Sequence, residues 1–363
     1  MESYIPIGLS LGIAPFLFIA IMSAMYLAYL WALPRPIPGI PYDESARKSL
    51  LGNVPEIVSI LRKTGRTRPF FTAHIQRHQS ALTQVWMGPL EKPSLILADF
   101  REAHDILTRR TREFDRGHRT AASFGGVVPN HHISMASTDP RFKGNKELVR
   151  DLMSPNFLHE VSAPQIYDKT MSLVDLWSLK AKLGEGRPFN ARKDIFDAAM
   201  DIINAVAFGL EDDQSVVKSQ LNALLSRRDL PLPLSADGTV VFPDLPELPT
   251  IATIQAVSNH LGDQLNSLFP RLSHRYQMLT SPTLAKDFAQ KDQFLRNEIE
   301  KAVMRLRKGE GGTRSAMDHI LQREMNAAEK ANRQPVFHSS RIYDELFGYI
   351  IGGHDTSSTA LAC

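Results

Sequence analysis

From Ser3 to Pro34 the chain carries no charged side chain, and Ile5 to Leu33 is dominated by Ile, Leu, Phe, Ala and Met. A bilayer core of ~30 Å needs about 20 apolar residues at the helical rise, so this run is long enough to span one. Tyr26, Tyr29 and Trp31 gather at its far end, where amphipathic rings suit a headgroup layer. Pro6 and Pro15 lie in the first half, where proline shortens or kinks a helix. A cleaved signal would lead with basic residues and a shorter apolar core. This chain leads with Glu2 and runs longer, so the segment reads as a retained anchor over residues 1–33. The first positive charges after it, Arg35, Arg47 and Lys48, place that flank on the cytosolic side.

Four prolines follow at 34, 36, 38 and 41. They can neither continue a helix nor pair as a central strand, and they favour a semi-rigid spacer over residues 34–41. The remainder, 42–363, has ordinary globular composition. Charge is balanced, with 42 basic against 39 acidic residues, so no concentrated basic face argues for nucleic acid. The single cysteine, Cys363, excludes an internal disulfide framework and fits a reducing compartment.

Most of the body reads as helix, and no repeat divides it. Leu82–Met87 and Ser94–Ala98, apolar and β-branched runs separated by Gly88-Pro89, predict a hairpin. Asp99 is placed to cap a helix over 100–112. Between Phe114 and Pro140 periodicity dissolves, and a loop of that length inside a domain is usually functional. Its pair His131-His132 lacks a nearby third ligand, so it reads as solvated surface and not as a metal site. Helices are expected over 146–158, 165–183, 191–210, 251–279, 282–307 and 315–331, with an irregular proline-rich stretch over 230–249.

The stretch from Arg341 to Cys363, RIYDELFGYIIGGHDTSSTALAC, carries the chemistry. It opens as an amphipathic helix and runs into Gly352-Gly353-His354-Asp355-Thr356-Ser357. Each glycine there costs about 1 kcal/mol relative to alanine, and the hydroxyls compete for backbone hydrogen bonds. Two readings follow from spacing alone. The glycines open the helical ladder beside an acid and an alcohol suited to proton relay, or they end one helix and Asp355 caps the next.

That run closely resembles the A/G-G-x-D/E-T-T/S signature of the long central helix of cytochromes P-450. Lys146–Phe157, KELVRDLMSPNF, is similar to the same family's W-x-x-x-R helix with its trailing L-S-P-x-F. The hairpin and the helix after it, the proline-rich spacer and the anchor resemble those of microsomal members. The resemblance implies a mainly α fold with a small β-sheet, the cytochrome P-450 fold, incomplete at the C-terminus and preceded by one transmembrane helix. It implies haem b, with electrons from NADPH through a flavoprotein reductase, and insertion of one atom of dioxygen into a small apolar substrate. Asp355 and Thr356 would manage protons, and Gly352 and Gly353 would shape the oxygen pocket. Arg150 would hold a haem propionate. Lys146 stands where the family has tryptophan, so it would reach a propionate by charge alone. Phe124, Phe347 and Ile351 would line the substrate.

Membrane lipid is an implied partner, in a single-pass endoplasmic reticulum protein whose catalytic part faces the cytosol. The family's E-x-x-R helix and F-x-x-G-x-x-x-C-x-G loop do not appear. Cys363 follows Thr356 too closely, without a glycine-rich loop, to be the axial ligand, so no metal ligand is assigned. The expectation is a truncated chain, inactive alone, and the rival is a membrane-tethered fragment or pseudoenzyme that does not bind haem productively.

Overall fold

The computed structural model describes residues 8–65, 67–210, 214–226, 232–246, 248–267, 269–309 and 312–362. Pro6, at the start of the apolar run, and Cys363 lie outside the described residues. The protein is mainly helical with one small two-stranded sheet. It forms two compact units, residues 1–115 and 116–363.

The first unit begins with α1, Gly8–Ala32, which contains Pro15. Its window Pro15–Ala32 has a mean hydropathy of 1.7, and it is the one described helix long and apolar enough to cross a membrane. Phe16, Phe18, Tyr26 and Trp31 are all more than 60% exposed, so none of the described residues covers them. The spacer after α1 is not free. Gln84, fully buried, accepts from the Ile37 N–H at 2.8 Å and donates to the carbonyls of Ile37 and Ile40 at 2.9 and 2.7 Å. Prolines deprive the segment of donors, and one glutamine side chain serves three of the backbone groups that remain.

Helices α2 (Glu44–Arg47), α3 (Val54–Thr64) and α4 (Arg68–His78) precede β1 (Leu82–Val85), which pairs antiparallel with β2 (Ser94–Leu97). Leu82 lies opposite Leu97, and Val85 opposite Ser94, as the hairpin reading requires. Asp99 caps α5 (Phe100–Thr108), accepting from the backbone of Arg101 and Glu102 at 2.8 and 3.1 Å. The helix ends four residues before the expected Arg112. Ile57, Phe70 and Val85 form a small core. Beside it Asp43 gathers Arg77 at 2.8 Å and the rings of His74 and His78, each at 3.1 Å. The Arg77 guanidinium supplies a cation to this carboxylate and pairs with Glu56 at 2.6 Å as well.

The second unit opens with the short α6 (His118–Phe124) inside the expected loop. Then come α7 (Pro140–Leu148), a 3₁₀ turn Arg150–Met153, and the single turn α8 (Pro155–Phe157). The expected helix over 146–158 is therefore broken. Pro155 disfavours helical backbone at Ser154, which is extended and accepts from the Phe157 N–H through its hydroxyl at 3.3 Å. A π-helical turn, Leu158–Ser162, leads into α9 (Ala163–Leu183). Helix α10 (Arg192–Phe208) ends at Gly209, which adopts the left-handed conformation at φ 70°.

The unpredicted α11 (Val216–Leu225) follows, capped by Ser215. The long helix expected over 251–279 is two, α12 (Pro249–Asn266) and α13 (Pro270–Thr280), because Pro270 can start a helix but not continue one. Helices α14 (Pro282–Arg307), α15 (Ala316–Lys330) and α16 (Ser340–Ala362) complete the unit. Its core is continuous. Met200, Ile203 and Phe208 of α10 meet Leu295 and Ile299 of α14, Ile320 and Leu321 of α15, and Leu346, Phe347 and Ile350 of α16. A smaller core between α9 and α11 centres on Leu176 and Leu224. At its edge Lys180 and Asp194, both buried, pair at 2.7 Å, and the Trp177 indole donates to the same carboxylate at 2.9 Å.

Gln84→Ala removes three side-chain hydrogen bonds that hold the spacer backbone. Limited proteolysis of the purified chain is expected to cut within 34–41 at least several-fold faster than in the wild type, with cleavage elsewhere unchanged.

Candidate functional site

Helix α16 organises the site. Ile342, Leu346, Phe347, Ile350 and Ile351 recur at helical spacing and are buried, and the Ser339 hydroxyl accepts from the Ile342 N–H at 3.3 Å to start the helix. The helix runs unbroken from Ser340 to Ala362. Neither sequence-derived reading of the glycine pair holds, since the ladder neither opens nor ends there.

Packing explains part of the cost of the glycines. A Cβ on Gly353 would lie 2.2 Å from Cδ1 of Ile203, so Gly353 lets α10 and α16 approach closely. A Cβ on Gly352 would meet nothing within 4 Å. Gly352 shares an exposed face with Asp355 and Thr356, one turn on. There the Thr356 hydroxyl donates to the Gly352 carbonyl at 2.6 Å. His354, on the opposite and buried face, engages the Ile350 carbonyl through Nδ1 at 3.0 Å, while its Nε2 has no partner among the described residues. Burial lowers the pKa of this imidazole, so it stays neutral.

At the other end of the same helix lies a polar centre that sequence reasoning missed. Glu345 is fully buried. Its Oε1 accepts from the His132 N–H and from Asn145 Nδ2, both at 2.9 Å. Its Oε2 lies 2.8 Å from His132 Nδ1 and 3.3 Å from His131 Nε2. The neighbouring Asp344 accepts from both the backbone and the side-chain amide of Asn130, at 2.7 and 3.0 Å. Burial raises the Asp344 pKa, and the two amide bonds oppose the rise. The histidine pair is thus not solvated surface. His131 is 7% exposed, stacks on His132 with ring centres 4.2 Å apart, and fills the place of a Cβ on Gly348, which would lie 2.2 Å from its ring. The signal in the sequence was the acid pair Asp344-Glu345 set among Ile342, Leu346 and Phe347, two charges on an otherwise apolar face.

The two histidines and Glu345 bring their ligating atoms within 4.8 Å of one another. However, Nδ1 of His131 accepts from the Ile133 N–H at 3.0 Å, which leaves the ring proton on Nε2 and no lone pair there for a metal. The cluster is a hydrogen-bonded one.

These residues line a cavity of about 630 Å³ together with Phe142, Lys146, Val149, Arg150, Leu152 and Tyr349. Lys146 and Arg150 are therefore brought together, although they sit on different elements, α7 and the 3₁₀ turn. Arg150 is held by Glu147 at 2.9 Å, and Arg323 bridges Glu147 and Asp151 at 2.8 and 2.5 Å. The Lys146 ammonium lies 5.8 Å from the centre of the Phe142 ring. Burial pushes the Tyr349 phenol up to about 12, so it remains protonated. Gly352 follows Tyr349 by one helical turn, and Thr356 lies ~10 Å beyond Tyr349 along the axis. The residues expected to line substrate are elsewhere: Phe347 and Ile351 lie in the core, and Phe124 packs against it.

Residues 49–363 match the family model for cytochrome P450. The chain belongs to the cytochrome P450 family. Over 352 residues it is 35% identical to cytochrome P450 monooxygenase TRI13 of Fusarium sporotrichioides, covering 93% of this chain and 58% of that protein. Over 351 residues it is 30% identical to cytochrome P450 monooxygenase xilC of Penicillium crustosum, covering 95% and 59%. A shorter match, 45% over 83 residues, joins it to the Hps1-dma1 cluster cytochrome P450 monooxygenase cyp3.1 of Dothistroma septosporum. The chain spans about three fifths of the length of the first two relatives.

The family implies haem and a redox partner. The cavity suits the carboxylate edge of such a group, because apolar Val149, Leu152 and Met153 adjoin the cations Lys146 and Arg150. Cys363, the single cysteine of the sequence, lies outside the described residues.

Two outcomes follow from this geometry. Gly353→Ala is expected to cost about 1–3 kcal/mol in stability, and adding Ile203→Ala should recover part of it, a coupling readable in a double-mutant denaturation cycle. Burial pushes His131 down to about 4, against the opposing pull of Glu345. A folded pKa below the unfolded value of 6.5 means the unfolded chain binds the proton first. The stability of the neutral ring is complete above pH 6.5 and is lost as pH falls toward 4, by up to about 3 kcal/mol. Urea unfolding across that window should show the gap between wild type and His131→Gln narrowing on acidification.

Proposed function

We propose that this chain carries the oxygen-activating and propionate-binding part of a haem-dependent monooxygenase acting on an apolar organic substrate. The observation that carries this reading is the continuity of α16. The helix lines the cavity holding Lys146 and Arg150 at one end and presents Gly352, Asp355 and Thr356 on a single face at the other. Haem, when bound, supplies activation of dioxygen and its transfer to substrate. Lys146 and Arg150 would neutralise its propionates, Arg150 with directed hydrogen bonds and Lys146 as a point charge.

Asp355 and Thr356 would hold and pass a proton at the threonine hydroxyl. That hydroxyl donates to the Gly352 carbonyl and keeps its lone pairs for an incoming donor. Gly352, with open space where a Cβ would be, leaves room for a small ligand beside it. The monooxygenase relatives support the reaction class.

The same reading assigns residues 1–33 to a membrane anchor, 34–41 to the spacer and 42–363 to the catalytic part. Electrons would come from NADPH through a flavoprotein reductase at the cytosolic face of the endoplasmic reticulum membrane. The apolar, uncovered surface of α1 supports the anchor.

The test is Thr356→Ala in the haem-loaded full-length protein. Electron use should continue while product per electron falls roughly tenfold or more, as expected for loss of a positioned proton donor. Unchanged coupling would overturn the proton role.

A further inference from the structure

We infer that Asp43, His74 and His78 form a binding site for one divalent transition-metal ion of the zinc class, a site independent of the haem reading above. The residues converge from two directions. In His74-Ile-Gln-Arg-His78 the histidines stand four apart on α4, a spacing that sets both rings on one helix face, and the ring centres are 4.7 Å apart. Asp43 reaches them from the position just before α2. One ring nitrogen from each histidine and one carboxylate oxygen all lie within 4.8 Å of one another. Two imidazoles and a carboxylate are a donor set that zinc takes with a fourth position for water, whereas the hard cations magnesium and calcium prefer oxygen alone.

The case turns on His74. It is fully buried, and neither of its ring nitrogens has a hydrogen-bond partner among the described residues. Its Nδ1 lies 3.1 Å from Asp43 Oδ2, yet the two are not aligned for a hydrogen bond. A buried polar atom without a partner costs stability, and an ion bound at Nδ1 would supply one. Tetrahedral bonds of ~2.0–2.2 Å put neighbouring ligand atoms about 3.4 Å apart, so the 3.1 Å separations of Asp43 from His74 and His78 need to open only slightly. Burial lowers the His74 pKa, so the ring is neutral and keeps a lone pair. His78, with its proton on Nε2, donates to Asp43 Oδ1 at 3.1 Å; the ion would take the place of that proton and leave the ring protonated on Nδ1.

The surroundings suit a metal ligand. Arg77 and Asn53 donate to Asp43 Oδ2 at 2.8 and 3.3 Å and orient the carboxylate as outer-shell partners do, while Oδ1 faces His78. Arg77 also pairs with Glu56 at 2.6 Å, so with neutral rings the two acids outnumber the one cation and a dication meets net negative charge. Asp43 stands two residues after Pro41, the last proline of the spacer. The ion would therefore brace the end of the spacer against α4.

The 363-residue chain, in detergent micelles, is stripped of metal with a chelator and titrated with zinc, magnesium and calcium chlorides, and thermal unfolding is followed by circular dichroism. Cobalt(II) serves as the optical probe. The wild type should bind one zinc ion per chain, gain thermal stability with zinc and not with magnesium or calcium, and give cobalt the intense visible absorption of a four-coordinate ion. His78→Ala, at a ring 16% exposed, should weaken zinc at least about a hundredfold, since even outer-shell partners carry 10–100-fold. Asp43→Asn, which keeps the shape of the side chain and removes its charge, should lose the cobalt absorption. Metal-free spectra show which variants are folded, and Asp43→Asn decides the matter if His78→Ala is not. Unchanged zinc affinity in a folded variant, which would place the ion on other histidines, overturns the site. So does a wild type that binds no zinc, or that responds equally to magnesium.

Discussion

A carboxylate removed from water must be matched by donors or it neutralises, and Glu345 shows what that requirement does to a fold. Its oxygens face two imidazoles, a backbone amide and the amide of Asn145. Those donors come from the loop before α7, from α7 itself and from nowhere on α16. The segment between Phe114 and Pro140 holds its short turns by local hydrogen bonds, and this acid together with Asp344, which holds Asn130, ties those turns to α16. Lys146 and Arg150 stand where they do because the elements carrying them are fixed to the same place. Glu147 of α7 and Arg323 of α15 complete the lattice.

The other constraint on α16 is steric. Ile203 enters the space a side chain at 353 would occupy, and this sets how closely α10 and α16 lie. The two glycines of the signature therefore do different things. One serves the contact between helices, and the other leaves an open surface beside Asp355 and Thr356. A backbone oxygen satisfied by Thr356 and a buried imidazole satisfied on one side only show the helix diverting local polar groups without losing its ladder.

Much of this was legible in the residues. The apolar run, the hairpin, the Asp99 cap and the helices over 282–307 and 315–331 follow from periodicity and capping, which act locally. Prolines at 155 and 270 divided helices that the apolar pattern joined, because periodicity is blind to a missing donor. The signature from Gly352 to Ser357 marked the family, but its geometry depends on Ile203, about 150 residues earlier in the chain. His131 and His132 were misjudged as surface for the same reason. Their partner lies more than 200 residues away in sequence, and no local rule pairs a loop histidine with a helical acid across that distance. Phe347 and Ile351 were expected in a pocket and lie in the core, since an apolar side chain looks the same for either fate.

The clamp on the spacer has a consequence for reach. Eight residues behaving as a flexible coil would let their ends wander by about 16 Å. With Ile37 and Ile40 fastened through Gln84, only the few residues between α1 and Ile37 keep that freedom. The link between α1 and the rest of its unit is thus short and fastened at its far end, so few bonds remain about which the apolar helix can swing.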